Sequence, residues 1–137
     1  MSEINSTLSI AASGLRAQTA RMKVIAENIA NANSTSPNAG GNPYQRKIAT
    51  FGQVLNRETG VNEVKMTKVV ADKGEFKMRY DPSNPAADTN GYVKLPNVNS
   101  LLEAMDMREA QRAYEANLNV VESARAMMGK TIDLLRR

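Results

Sequence analysis

The chain has no cysteine, no histidine and no tryptophan in 137 residues. Thiol and imidazole chemistry are therefore excluded, and with them ordinary zinc, copper and haem ligation. Aromatic side chains are scarce, with two Phe and four Tyr. Apolar content rests on Ala, Val, Leu, Ile and eight Met. Such side chains build thin, close-packed helical seams better than a deep globular core. A small chain with a thin core often completes its burial on a partner. No stretch reaches the roughly 20 apolar residues of a membrane helix. The opening MSEINSTLSI has neither a basic nor a continuous apolar region, so no cleavable signal peptide is expected.

Charge of one sign is also in short supply. The net charge is +4, little for a nucleic-acid binder. Residues 44–80 carry eight Lys or Arg against four Asp or Glu, while the last 57 residues carry seven against eight. A basic middle could meet an anionic surface or could serve solubility alone.

What the sequence does have is two seams. Steps of four and three from Ile4 reach Leu8, Ala11, Leu15, Gln18, Met22, Ile25, Ile29 and Ala32, and only Gln18 is not apolar. This predicts a coiled-coil-like helix over residues 1–33. At ~1.5 Å per residue its length would be ~43 Å. The C-terminal seam runs through Met107, Ala110, Tyr114, Asn117, Val121, Ala124, Met128, Thr131 and Leu135, predicting a second helix over 100–137. Asn97 or Asn99 is its candidate N-cap, and Ser100 with Glu103 fits a capping box. Either seam could be an intramolecular core stripe or an interface between chains. Gln18, Asn117 and Thr131 would fix register if buried, or face water if the heptad frame drifts.

Residues 34–99 read as loop, β-hairpin and extended strap. VKMTKVV (64–70) and EFKMRY (75–80) flank ADKG, with Gly74 where a hairpin turn would want it. Residues 42–51 could add another extended piece. Pro82, Pro85 and Pro96 with Gly91 predict an ordered, non-helical strap leading into the second helix. Two strands alone are marginal in water, so they must rest on the helices or on another molecule. The fold class is mainly α with a small β part: a single domain over 1–137, with paired terminal helices.

Chemistry is hard to assemble from these residues. Asp106 with Glu103 or Glu109 could share a helical face, but Arg108 and Arg112 lie among them and a solvated, charge-laced face is the simpler reading. Asp81, Asp88 and Asn90 lack EF-hand spacing. NAGGNP has no phosphate-loop lysine. The expectation is no enzyme, no cofactor, no metal and no small-molecule substrate. Four asparagines, Asn28, Asn31, Asn33 and Asn38, crowd the end of the first helical pattern. Asn31 and Asn33 could satisfy orphan carbonyls or adopt αL there. Asn28 sits a turn earlier, where its amide could bond to a neighbouring chain.

Three stretches carry a resemblance: ASGLRAQTARMKVIAENIANANST (12–35) followed by NPYQRK, YDPSNPAADTNGYVKLPNVN (80–99), and AQRAYEANLNVVESARAMMGKTIDLLRR (110–137). The sequence resembles the bacterial flagellar basal-body rod protein family. The wider family passes from its Ala-Asn motif to Thr-x-Gly-Tyr almost at once. Here Ser34 to Pro43 intervene before Tyr44, which resembles the proximal-rod branch. The short middle is unlike the larger inserted domains of hook, hook-filament junction and distal rod proteins.

The resemblance implies a non-enzymatic structural subunit that polymerises into the tubular drive shaft and transmits torque from membrane ring to distal rod and hook. It implies export by the flagellar type III apparatus and residence in the periplasmic part of the rod. Implied partners are further copies of the chain, the other rod proteins, the rod-to-ring adaptor protein and the membrane ring. The candidate assembly residues are Leu8, Leu15, Gln18, Met22, Ile25, Asn28, Ile29 and Asn31 in the first helix. In the second they are Tyr114, Asn117, Val121, Ala124 and Met128. Arg16, Arg21, Arg112 and Glu115 are candidates for polar contacts between subunits. The competing expectation is a basic coiled-coil nucleic-acid-binding dimer acting through residues 44–80; the leading one has no nucleic acid.

Overall fold

The computed structural model describes residues 2–136. Helix α1 spans Ser2–Ala30 and helix α2 spans Ser100–Arg136. Between them lie strands β1 (Lys47–Asn56), β2 (Val61–Ala71), β3 (Lys77–Tyr80) and β4 (Tyr92–Leu95). The fold is thus two long helices with a small antiparallel β part, as the seams predict. The chain divides into two compact units. One holds residues 2–22, 50–68 and 108–136; the other holds 23–49 and 69–107.

In the first unit the helices run antiparallel. Ile4 lies with Ala124 and Met127 around one small cleft, Gly14 meets Asn117, and Arg21 reaches Glu109 at 3.7 Å. On α2 the inward residues are Ala110, Tyr114, Asn117, Val121, Ala124, Met128 and Thr131, each buried or half-buried. The C-terminal seam is therefore the face that α2 turns toward its own chain. Gly14 is buried because the Asn117 amide packs on it; a Cβ there would lie 2.6 Å from Asn117 Nδ2. Asn117 is thus an inward register residue. Gln18 is only half-buried, but its Oε1 is enclosed and has no hydrogen-bond partner.

Strands β1 and β2 form one two-stranded sheet, and β3 and β4 form another. The expected hairpin between 64–70 and 75–80 does not form. The turn chemistry lies elsewhere: Gly60 (φ 72) donates its N–H to Asn56 C=O at 2.8 Å, and Asn56 Oδ1 accepts from Glu58 N. Gly60 and Gly91 (φ 84) supply the left-handed backbone of the two real connections, whereas Gly74 has no positive φ. The expected extended piece over 42–51 becomes the start of β1. The expected strap is the long loop of a second hairpin, with Met78 opposite Lys94 and Tyr80 opposite Tyr92. The two tyrosine rings meet edge-on at 5.3 Å. The alternation of Phe76, Met78 and Tyr80 does not produce a buried face, for Met78 and Tyr80 are exposed. The first sheet rests on α1: Val64 N–H donates to Ser13 Oγ, and Glu63 accepts from Ser9 and pairs with Arg16. In the second unit Val24, Ile25, Ala86, Val93 and Val98 are buried.

The contact at Gly14 generates a prediction. Gly14→Ala gains ~1 kcal/mol of helix propensity but overpacks the Asn117 amide, a cost of ~1–3 kcal/mol. The substitution should lower stability in the wild-type background and raise it in Asn117→Ala. A double-mutant cycle by urea unfolding reads this change of sign.

Candidate assembly site

The most densely bonded group of side chains belongs to the second unit. Asn28 on α1 is 1% exposed. Its Nδ2 donates to Lys47 C=O at 2.8 Å and to Glu103 Oε2 at 3.3 Å. Its Oδ1 accepts from Tyr44 Oη at 2.8 Å and from Lys47 N–H at 2.9 Å. An amide offers two donors and two acceptor lone pairs, so Asn28 is saturated inside its own chain. The expectation that it bonds to a neighbouring chain is corrected accordingly. Sequence reading found the residue and mistook its partners.

Glu103 is also 1% exposed. Its Oε1 accepts from Arg46 Nε, so the buried charge is paired. Arg46 further reaches Asp72 at 3.2 Å and Asp106 at 3.8 Å. Its backbone is held too: Arg46 N–H donates to Asn97 Oδ1 at 2.8 Å, and Arg46 C=O accepts from Asp72 N–H at 2.7 Å. The expected capping box is absent for a geometric reason. Asn99 is the N-cap, accepting from the backbone of Leu101 and Leu102. Glu103 is therefore one position past that reach and turns inward to Arg46. Tyr44, Arg46 and Asp72 were not singled out by sequence reasoning, and Asn97, read there as a candidate N-cap, instead holds the Arg46 backbone. Their partners lie 16 to 57 residues away, and no local pattern announces them.

The electrostatics follow from these contacts. The hydrogen bond to Glu103 holds the Arg46 guanidinium still more firmly charged. Asp72 is held below the usual carboxylate range, first by the Gly74 N–H and then by Arg46. In the first unit Glu63 is likewise held low, by Ser9, then Asn56 and Arg16. Burial, with Glu27 and Glu103, pushes the Tyr44 phenol up. Of the carboxylates considered for acid–base chemistry, Asp106 and Glu103 face Arg46 and Glu109 faces Arg21. Among the described residues no group of three or more acidic side chains is placed to hold a metal ion.

At the end of α1 the asparagines behave partly as expected. Asn31 Nδ2 donates to Glu27 C=O at 2.9 Å and Ser34 Oγ donates to Asn31 C=O at 3.0 Å. Neither Asn31 nor Asn33 takes the αL conformation, since no described non-glycine residue has positive φ. Of the other candidate assembly residues, Ile25 and Ala124 are buried within the chain. Leu8, Leu15, Gln18, Met22, Tyr114, Asn117, Val121 and Met128 are half-buried, as is Asn31, and Ile29 is exposed. Arg16 and Arg21 make ion pairs inside the chain, while Arg112 and Glu115 are exposed.

The uncovered surface of α2 lies beside its seam. Val120, Met127 and Leu134 recur every seven residues and are 42%, 58% and 68% exposed. They share a flank with Ala116 and Ser123. In the second unit Leu101, Leu102 and Met105 are likewise exposed. Paired helices, a saturated polar node and bare apolar flanks mark a protein built for contact with other molecules.

Comparison with known proteins supplies the family. A model described as "Flagella basal body rod protein" matches residues 8–36, and one described as "Flagellar basal body rod FlgEFG protein C-terminal" matches residues 89–134. The chain is similar to the flagellar basal-body rod protein FlgC of Agrobacterium fabrum, 51% identical over 136 residues covering 99% of this chain and 98% of that one. It is 40% identical to FlgC of Salmonella typhimurium over 126 residues, covering 91% and 92%. It is 36% identical to FlgC of Borreliella burgdorferi over 148 residues, covering 96% and 97%. The chain belongs to the FlgC family of flagellar basal-body rod proteins. It is a structural subunit of the proximal rod and not an enzyme, and its place is the flagellar basal body, where it assembles with other rod components. Nothing in the family supports the nucleic-acid-binding alternative.

Two predictions follow the node. Glu103→Ala should destabilise by ~3 kcal/mol, the scale for removing one member of a buried ion pair, while the helix content of the folded protein is kept; urea unfolding with circular dichroism reads both. Asp72 has a folded pKa below its unfolded one, so its contribution is present above the unfolded value of about 3.9 and is lost as pH falls through the folded one. Stability should therefore decline below about pH 4, and Asp72→Asn should flatten that decline in urea midpoints compared across pH.

Proposed function

We propose that the chain polymerises, with further copies of itself and with the other rod proteins, into the tubular drive shaft that carries torque from the membrane ring to the distal rod and hook. One observation carries this reading. Among the described residues nine apolar side chains are buried, five of them alanines, while nineteen large apolar side chains are exposed. A surface of that kind marks contact with other molecules. Its natural partners are other helices, because the bare residues of α2 repeat at the spacing of a helical seam. Torque would then pass between subunits through interlocked helices, each stiffened by its own backbone hydrogen bonds.

In this reading the chain lies in the periplasmic part of the rod and reaches it through the flagellar type III export apparatus. At its base it meets the rod-to-ring adaptor protein and the membrane ring. The assembly surface is the Val120–Met127–Leu134 flank rather than the inward seam. Ile29 and Asn31 stay in the proposed surface, since neither is fully buried within the chain.

Met127→Glu tests it. Its side chain is more than half exposed, so the isolated variant should keep wild-type helix content and urea midpoint. Burial of a Met contributes about 1.5–3 kcal/mol, and each 1.4 kcal/mol is about tenfold in affinity. The variant's content in purified basal bodies should therefore drop at least about tenfold, with loss of motility. Wild-type incorporation would sink the assignment of this flank.

A further inference from the structure

We infer that the outer edge of β1, at Phe51, Gln53 and Leu55, pairs with an extended strand contributed by a neighbouring rod subunit. The inference rests on the rod-assembly reading and assigns to it a second kind of contact, made by backbone rather than by helix flanks.

The direction of the edge follows from the hairpin. Asn56 C=O accepts the Gly60 N–H, and Thr50 C=O accepts from Thr67 Oγ1, so both residues point their backbone groups toward β2. Backbone groups alternate in direction along a strand. Those of Phe51, Gln53 and Leu55 therefore point away from β2. The sheet has only two strands, and among the described residues no hydrogen bond is made on that side at these three positions. The outer edge of β2 differs, for its Val64 N–H is taken by Ser13 Oγ.

The edge also lacks the usual protection. Natural edge strands carry charges, prolines or bulges that discourage pairing. From Ile48 to Asn56 there is no charged residue and no proline, in a chain with 23% charged residues. Phe51 and Leu55 are 39% and 57% exposed, and Gln53 is exposed. An uncharged, proline-free run on an open edge, with Phe51, Val54 and Leu55 in it, is what an incoming strand recognises. At Lys47 the chain shows what such groups require: the Asn28 amide engages both the N–H and the C=O, as a paired strand would. Further along the strand no side chain plays that part. The partner is defined by this chemistry as an extended backbone, uncharged where it crosses Phe51 to Leu55 between the flanking Lys47 and Arg57.

Gln53→Pro removes an outward donor and leaves the β1–β2 ladder intact. With Gln53→Ala as control, basal bodies are purified from cells carrying each variant. The proline variant should keep its far-UV circular dichroism as a free chain, while its content in basal bodies falls about tenfold or more; the alanine variant should match wild type. Incorporation of the proline variant at the wild-type level would overturn the inference. Hydrogen exchange on the wild-type protein decides the matter even if the proline variant fails to fold. The amides of Phe51, Gln53 and Leu55 should exchange fast in the free chain and about a hundredfold or more slower in basal bodies, while those of Gly52 and Val54 are slow in both. Equal exchange at the three outward amides in both states would refute the pairing and leave the rod reading standing. Concentration-dependent protection in the free chain would show the edge pairing between copies without the rod and overturn its assignment to rod assembly. Absence of the wild-type chain from basal bodies would remove both readings together.

Discussion

The carboxylate of Glu103 sits in the interior of its unit, and everything around it has to answer for that. A buried charge is tolerable only when paired and hydrogen-bonded. Glu103 meets both conditions through Arg46 and Asn28, which belong to segments far from it in sequence. The same two residues fix the chain locally. Asn28 holds the backbone of Lys47, and Arg46 is held through its own backbone by Asn97 and Asp72. The start of β1, the segment after β2, the turn before α2 and a turn of α1 are thereby tied at one point. Arg46 faces three carboxylates with one charge, but Asp72 and Asp106 are partly exposed, so solvent screens the excess. The buried Glu103 carries the strict requirement.

The hydrophobic core is thin. Of the nine buried apolar residues only Val24, Ile25, Val93 and Val98 are larger than alanine. Each is worth about 1.5–3 kcal/mol when fully buried, against an ordering cost of about 1–2 kcal/mol for every residue fixed. Alanines along the seam do something else. They let backbones approach, and the Gly14–Asn117 contact does the same in the first unit while setting register. The polar network gives the fold its specificity, and the thin core gives only part of its stability.

Sequence patterns carried the helices and not the sheets, for physical reasons visible at particular residues. A seam repeated over many turns is a signal that survives tertiary context, and the inward face of α2 follows it from Ala110 to Thr131. Both segments between the helices, VKMTKVV and EFKMRY, hold strands, but their pairing with each other was misassigned because EFKMRY alternates and Gly74 stands where a turn between the two would want it. Pairing is chosen by the turn rather than by alternation, and the turns lie at Gly60 and Gly91, where φ is positive. Asn28 was legible as unusual, one of four asparagines crowding the end of the first helical pattern. Which partner was not legible, because Tyr44, Lys47 and Glu103 approach it only through the fold. On α2 the seam that the sequence shows most clearly is turned inward within the chain, and the apolar flank beside it, Val120, Met127 and Leu134, is exposed.

The division between a polar node and a thin core suits a subunit that must not be finished alone. A chain that buried all its apolar surface as a monomer would have little free energy left to gain on assembly with other rod components. In the proposed assembly the exposed apolar flank of α2 and the outer edge of β1 would gain their burial and hydrogen bonds from neighbours. Partial stability carries a risk of wrong pairing, which hydrophobic contacts, being non-directional, do not prevent. Hydrogen bonds to a buried carboxylate and a saturated amide are directional and tolerate no near miss. The node therefore fixes the start of β1, the segment after β2 and the start of α2 by directional bonds rather than by bulk burial.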